Sequence, residues 1–307
     1  MLIGVLAIVL LLAVSLGSEQ LSLLELSDTQ AAIFFDIRVP RVLLGACVGA
    51  SLAAAGASLQ ALLRNPLAEP YLLGVSNGAA LGTMLAFVFF EQFVFARPLM
   101  AFAGAGLATF TVYQMARSRA GMNVERLVLS GVIVTTFLSS IIVLLTSLLD
   151  AARLRGFTFW LLGDLSQATM SGFYLTLVSA FVGTIVLTSQ ARPLNLLMIG
   201  ERDALDFGVE VGRVRMIVFG IASLLVGTAV AASGSVGYVG LIVPHLVRLA
   251  IGSDNRLVVP MSAVAGAIFV VLADTVARTV IAPRELPVGA ITALIGAPMF
   301  IYLLRRN

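Results

Sequence analysis

Long apolar runs, separated by short polar or Pro/Gly-rich segments, follow one another along the whole chain. A helix crosses the hydrocarbon layer of a bilayer in about 20 residues, and apolar runs of that order recur ten times. The pattern predicts crossings at 1–17, 42–63, 74–95, 98–116, 124–148, 171–189, 214–233, 236–251, 258–280 and 287–304. We therefore expect an all-α integral membrane protein, with about ten transmembrane helices in one domain covering 1–307.

The first apolar run is predicted to span the membrane rather than to be a cleaved signal. No positive charge precedes it, and no convincing cleavage motif lies before Ser18. We expect it to stay attached as the first helix.

The amino-acid composition argues against several kinds of catalytic and metal site in this chain. Of the 307 residues 60% are hydrophobic and 11% charged, which is more apolar surface than one soluble core needs. All 19 basic residues are arginine, so the chain cannot form a P-loop or a lysine Schiff base. Cys47 and His245 are the single cysteine and histidine, which argues against a disulfide within the chain and a Cys/His metal site. We expect no cofactor, no metal and no catalysis by this chain.

The positive charge is explained by orientation. Net charge is +3 and the pI is about 9.5, but the arginines are scattered between apolar runs without aromatic interleaving, so no nucleic-acid partner is expected. With both termini cytoplasmic, most arginines lie inside, as the positive-inside rule demands. The inner arginines are then Arg64, Arg117, Arg119, Arg126, Arg192, Arg202, Arg213, Arg215, Arg248, Arg256, Arg305 and Arg306.

Two connecting segments are long enough to fold. The outer one, 150–170, carries Trp160 and two phenylalanines and favours a short helix at the membrane interface. The inner one, 192–213, is cut by Gly200, Gly208 and Gly212 into two amphipathic pieces, each too short to span.

The inner segment has two interpretations. It is either a solvated linker or a surface that docks on another protein. Leu205, Phe207 and Val209 beside charges favour docking.

Small residues mark the second crossing. Gly45, Gly49, Ala53 and Gly56 recur at a spacing that lets helix backbones approach closely in lipid. The spacing indicates tight packing, which is the default in a polytopic protein.

The stretch 65–82 predicts irregular backbone next to the membrane. It contains two prolines and the pair Asn77-Gly78, and such backbone survives only where protein buries it or water lines it. We interpret Asn65, Pro66 and Leu67 as a cytoplasmic gate.

Seven blocks in order resemble a known family, the permease subunits of the ATP-binding-cassette (ABC) importers for iron-siderophores, haem and vitamin B12, which are type II importers. The blocks are R-V-P-R (38–41), N-P-L-A-E-P (65–70), L-G-V-S-N-G-A (73–79), F-W-L-L-G-D-L (159–165), V-G-L-I-V-P-H-L-V-R-L (239–249), L-A-D-T-V-A-R (272–278) and E-L-P-V-G-A-I-T-A-L-I-G-A-P-M-F (285–300).

The resemblance implies a homodimer of ten-helix subunits around a path in the bacterial inner membrane. Two ATPase subunits holding ATP and Mg would lie below, and one periplasmic substrate-binding protein above. It also implies that part of 192–213 sits in a cleft of the ATPase. The coupling residues would be Gly200, Glu201, Arg202, Ala204, Leu205, Gly208 and Val209.

The same resemblance, with the topology above, makes Arg38, Arg41 and Arg284 an outer landing site for the binding protein. The alternative is arginines that snorkel to lipid head groups. Arginine outside runs against the positive-inside bias, which favours docking.

Other polar groups remain open. Hydroxyls on the fifth crossing would line the path or bond their own backbone. They are Ser130, Thr135, Ser139 and Thr146. Asp274 and Arg278 are interpreted as a self-neutralising pair four residues apart rather than a substrate contact. His245 is interpreted as a hydrogen-bonded structural group rather than a haem ligand.

The sequence thus favours an ATP-driven importer for a large metal chelate, namely a corrinoid, haem or ferric siderophore. The alternatives are a permease for a smaller oxyanion such as molybdate, and an ion-coupled secondary transporter. The latter usually needs ionisable residues at the midplane, where these runs have almost none. An intramembrane enzyme has less support, since the chain has one histidine and no carboxylate pair in the middle of an apolar run.

Overall fold

The computed structural model describes residues 2–17, 27–90, 92–93, 95–118, 121–122 and 124–306. Its α-helices are α1 (Leu2–Ser15), α2 (Asp28–Ala32), α3 (Val39–Leu63), α4 (Val75–Phe89), α5 (Ala96–Ala116), α6 (Val124–Thr146), α7 (Ala151–Leu161), α8 (Met170–Ser189), α9 (Ala191–Ile199), α10 (Glu201–Asp206), α11 (Val211–Ser233), α12 (Val239–Ile251), α13 (Asn255–Thr279) and α14 (Val288–Arg306). A π-helical stretch, Ile33–Arg38, joins α2 to α3, and the 3-10 helix Pro70–Leu73 precedes α4.

Six helices are long and apolar enough to cross a membrane. They are Asp28–Leu63, Ala96–Ala116, Glu125–Thr146, Met170–Ser189, Val211–Ser233 and Asn255–Thr279. Four shorter apolar helices are Leu2–Ser15, Val75–Phe89, Val239–Ile251 and Val288–Ile301. The chain is therefore a multi-pass membrane protein, and each apolar run of the sequence coincides with one of these helices. The count of ten crossings stays a prediction, because the shorter helices fall below the usual spanning length.

The second helix begins earlier than the sequence predicts. A capping box of Ser27 and Gln30 starts it, and it continues through the π-helical stretch to Leu63. The sequence prediction placed its start at 42 because Arg38 and Arg41 resemble a polar helix end. Both arginines are instead buried inside the helix, where other parts of the chain supply their partners.

The centre of the fold is α3, which packs against α8, α11, α12 and α13. It makes backbone contact with α13: a Cβ atom on Gly49 would lie 2.1 Å from the carbonyl oxygen of Gly266, and one on Gly266 would lie 2.3 Å from that of Gly49. Gly56 makes a similar approach to Gly240 on α12. Small residues thus allow backbone contact, as the sequence predicts.

The structure adds one short element and corrects two local expectations. Arg117–Ser118 and Gly121–Met122 form a short two-stranded antiparallel hairpin that the sequence did not predict, within an otherwise helical fold. The pair Asn77-Gly78 lies inside α4 rather than in a backbone break, because Gly78 packs against Gly104 of α5. Gly212 lies inside α11 and does not interrupt the inner segment.

Candidate functional site

The inner segment 192–213, called here the coupling segment, folds as the two short helices α9 and α10. Gly208 adopts φ +77° and closes α10 by a left-handed turn, with the Val209 N–H donating to the Ala204 carbonyl at 2.9 Å. Glu201 accepts a hydrogen bond from Arg215 at 2.7 Å, which fixes α10 against the start of α11. The segment is therefore folded into a defined surface and is not an extended linker.

The coupling segment exposes large apolar side chains. Ile199, Leu205 and Phe207 are 72%, 55% and 73% exposed, and Arg202 is exposed beside them. We call these four residues the coupling surface. Ala204 is fully buried and supports the surface from within, while Gly200 and Val209 are half-buried. A cluster of exposed apolar groups with a charged neighbour is typical of a protein contact.

The predicted gate residues lie in a tight turn at the end of α3. Asn65 accepts the backbone N–H of Leu67 through its side-chain oxygen at 2.8 Å, and Leu67 is exposed. Asn65 also lines an open cavity of about 450 Å³ with the first half of α6, including Glu125 and Leu129. The structure thus brings the turn next to α6.

The four predicted lining hydroxyls do not share an exposed face of α6. Ser130 is buried, and Asn77 of α4 donates to the Thr135 carbonyl at 3.2 Å and to the Ser139 Oγ at 2.6 Å. Thr146 is half-buried and bonds the Val143 carbonyl of its own helix.

The exposed hydroxyls here are Thr136 and Ser140 of α6, and Ser147 directly after its end. Thr136 and Ser140 follow Thr135 and Ser139 by one residue, which turns them about 100° around the helix. Each of the three donates to a backbone carbonyl of α6. Thr135 and Ser139, two of the four predicted lining residues, thus lie next to α4, and the lining assignment stays a prediction.

A charged cluster closes the other end of α3. Arg41 donates through Nε and Nη2 to Asp274 at 2.9–3.1 Å, and through Nη1 to Glu285 at 2.8 Å. Arg278 lies 3.6 Å from Asp274, so the pair four residues apart exists but is the looser of the two. The short partner of Asp274 is Arg41, which sequence spacing did not reveal because 233 residues separate them.

The same cluster holds the end of α1. Arg38 donates to the carbonyls of Val14 and Ser15, and Arg278 donates to that of Ala13. These are terminal carbonyls of α1 that have no partner within the helix, and cations stabilise that end of a helix.

The exposed three-arginine landing site is therefore corrected. Arg38 and Arg41 are each only 5% exposed, because carbonyls and carboxylates of the chain surround them. Arg284 alone of the three lies on the surface.

Two irregular segments hold each other. The Tyr71 hydroxyl donates to the Val236 carbonyl and accepts the Val236 N–H, both at 2.9 Å. Glu69 accepts the N–H of Tyr238, which has a φ of +67°. The sequence reasoning missed Glu69 and Tyr71 as structural residues; the one available signal was a carboxylate within an otherwise apolar stretch. The break after α3 is thus fastened to the break before α12.

A polar contact also satisfies a backbone carbonyl of α12 that lacks its partner within the helix. Pro244 has no N–H for the carbonyl of Gly240, four residues earlier, and Gln60 of α3 donates to that carbonyl and to Leu241's, both at 3.1 Å. Arg248 donates in turn to Gln60. The Nε2 atom of His245 is buried and has no hydrogen-bond partner in the described part of the chain, so the structural role of this histidine stays a prediction.

Both the sequence and the fold of this chain are similar to those of known proteins. The model of the FecCD transport family matches residues 5–306. The cobalamin import system permease protein BtuC of Halobacterium salinarum is 44% identical over 91% of this chain and 74% of its own length. The hemin transport system permease protein HmuU of Yersinia pestis is 38% identical over 98% and 94%. A solved structure described as an inward-facing conformation of a metal-chelate type ABC transporter has a TM-score of 0.88 and 32% identity, covering 100% of this chain and 99% of that one.

Proposed function

Because the chain belongs to the FecCD transport family, we propose that it is the permease subunit of an ABC importer that moves a large metal chelate into the cytoplasm. The relatives carry cobalamin and hemin transport in their names, which supports a corrinoid or haem as cargo; a ferric siderophore is the third candidate of the same class. Two copies would enclose the path, in the inner membrane of a bacterium, with ten crossings each and cytoplasmic termini.

The observation that carries the proposal is the coupling surface. A permease that transports with ATP but holds no P-loop needs a partner ATPase, and it needs a folded surface on which that partner docks. Leu205 on α10 and Phe207 directly after α10 supply exposed apolar anchors, and Ile199 at the end of α9 adds a third. We assign the ATPase contact to this surface, with Glu201 and Gly208 shaping it from behind.

The path is assigned to the exposed face of α6. Thr136 and Ser140 offer weak polar contacts that satisfy themselves on their own backbone when no cargo is present. Asn65, Pro66 and Leu67 form the gate at its cytoplasmic end, next to the cavity shared with α6. Such a lining lets a bulky chelate pass without trapping it.

Docking of the binding protein is assigned to the outer loop around Arg284. Its neighbour Glu285 is anchored to Arg41, so the buried arginine holds the loop while Arg284 faces outward. In a dimer the exposed charge occurs twice, one for each lobe of a binding protein. Complementary charge of this kind mainly speeds and orients encounter.

The test is uptake by the complete importer. The tagged chain is purified with the ATPase and the binding protein that accompany it, and placed in vesicles. Uptake of radiolabelled cyanocobalamin, hemin and ferrichrome is then measured with and without ATP. We expect ATP-dependent uptake of one probe, with Phe207→Asp reducing it at least tenfold and releasing the ATPase. Phe95→Asp is the matched control, because Phe95 is 75% exposed and lies between α4 and α5.

ATP-independent uptake by the chain alone would instead favour an ion-coupled secondary transporter. Uptake of molybdate, with none of the three chelates, would favour the oxyanion alternative. Equal effects of the two phenylalanine variants would remove the ATPase contact from the coupling surface.

A further inference from the structure

One side chain of α9 makes three hydrogen bonds to the turn that joins α12 to α13. Asn195 donates through Nδ2 to the carboxylate of Asp254 at 2.6 Å. Its Oδ1 accepts from the backbone N–H and the side-chain Nδ2 of Asn255, at 2.9 and 2.8 Å. The amide of Asn195 thus has both of its ends engaged by two consecutive residues.

The receiving turn is itself rigid. Asn255 is fully buried, and its Nδ2 also lies 3.2 Å from the Sδ of Met198, one helical turn beyond Asn195 on α9. Asp254 caps α13 by accepting the N–H of Arg256 at 3.0 Å. The hydrogen bonds from Arg256 and Asn195 lower the pKa of Asp254, so its carboxylate is the charged, accepting form at neutral pH. The side chains at this contact are therefore held in place, and none of them can reorient freely when α9 is displaced.

The two ends of this contact lead to different parts of the protein. On one side, α9 continues into α10 and the coupling surface. On the other, α13 runs unbroken from Asn255 past Gly266, where it touches α3, to Asp274 in the charged cluster. Nineteen residues of helix separate Asn255 from Asp274, which is about 28 Å. A movement at Asn195 would thus be passed to the far end of the helix core.

We propose that Asn195 is the positioning residue that transmits movement of the coupling surface to α13, and that it acts during transport rather than only in holding the fold. The inference rests on the proposed function. Asn195 touches neither cargo nor nucleotide; it acts through Asp254 and Asn255.

The test exchanges the two hydrogen-bonding groups. Asn195→Asp removes the donor and places two carboxylates in contact, so transport of the chelate probe should fall at least tenfold. ATP hydrolysis by the same assembled complex should stay within about twofold of wild type, because the coupling surface is unchanged. Adding Asp254→Asn restores a donor facing an acceptor and keeps an oxygen to cap α13. This double variant should regain at least half of the wild-type uptake.

Asn195→Ala serves as a second variant, since it removes the contacts without adding repulsion and keeps the test open if the aspartate variant does not assemble. We expect the same pattern, namely reduced uptake with hydrolysis retained. Glu210→Ala, in an exposed pair with Arg213 elsewhere on the coupling segment, is the control and should leave both activities unchanged.

Three results would overturn the inference. Normal uptake by Asn195→Asp or Asn195→Ala would show that the contact is not needed. Parallel loss of uptake and hydrolysis would assign Asn195 a purely structural role, as would failure of the double variant to recover. If the wild-type complex itself took up no probe with ATP, the proposed function would fall and the inference with it.

Discussion

Two apolar helices of this protein have opposite surroundings. The helix 28–63 has a mean hydropathy of 1.9 in its most apolar window, and 83% of that window is buried. The helix 125–146 has a mean hydropathy of 2.5 in its window, of which only 28% is buried. The more hydrophobic helix is thus the more exposed one. In lipid, apolar character does not drive helices together, and close packing of small residues with paired polar groups does. Hydropathy therefore identifies a spanning helix, while glycines and arginines identify the central one.

The largest loss of stability is expected when a glycine of the buried helix α3 is replaced by a larger residue. Gly49→Leu forces a side chain into the backbone of α13, where even a Cβ would lie 2.1 Å from a carbonyl oxygen. We expect a destabilisation of at least about 3 kcal/mol, measured by thermal unfolding in detergent. Gly106→Leu on α5 is the control, because no atom lies within 4 Å of its Cβ position, and it should change stability by less than about 0.5 kcal/mol. Similar losses in the two variants would contradict backbone contact as the basis of packing.

A comparable effect is expected from the charged cluster. Arg41→Met leaves the buried carboxylate of Asp274 with only the looser contact to Arg278, which should cost about 3–5 kcal/mol of unfolding free energy. Adding Asp274→Leu removes the unpaired charge and should recover most of that loss. Arg213→Met breaks an exposed pair at 3.8 Å and should cost less than about 1 kcal/mol. If the Asp274→Leu addition worsened stability, the burial argument would fail.

The smallest effect is expected on α6, where a hydroxyl that faces α4 can be compared with one on the exposed face. Ser139→Ala removes the hydrogen bond from Asn77 and should cost about 1 kcal/mol, with little change in transport beyond it. Thr136→Val, on the exposed face, should leave stability within about 0.5 kcal/mol but change ATP-driven uptake of the chelate probe. The reverse pattern, with stability lost at 136 and transport altered at 139, would return the path to the residues that face α4.

The outline of this fold follows from the sequence, and the side-chain partnerships do not. Apolar runs locate every long helix, because spanning length and backbone hydrogen bonding leave few alternatives in lipid. Gly200 and Gly208 mark the ends of the two short inner helices, because a glycine at a helix end is a local signal that can be read from the sequence. Arg41 could not be placed, because its partners Asp274 and Glu285 come from the far end of the chain. Periodicity likewise could not tell Thr135 from Thr136, since only the neighbouring α4 decides which side is covered.

The exposed face of α6 also bears on how such a chain can change over generations. Its hydroxyls bond their own helix, and no glycine contact or ion pair of α3 reaches them. Substitutions at Thr136, Ser140 or Ser147 therefore carry little penalty for folding, while those at Gly49 or Arg41 are expected to be severe. The tightly packed helix core thus leaves the exposed face of α6 free to vary. If this face lines the path, as we propose, one scaffold can acquire new substrates by mutation on a single helix face.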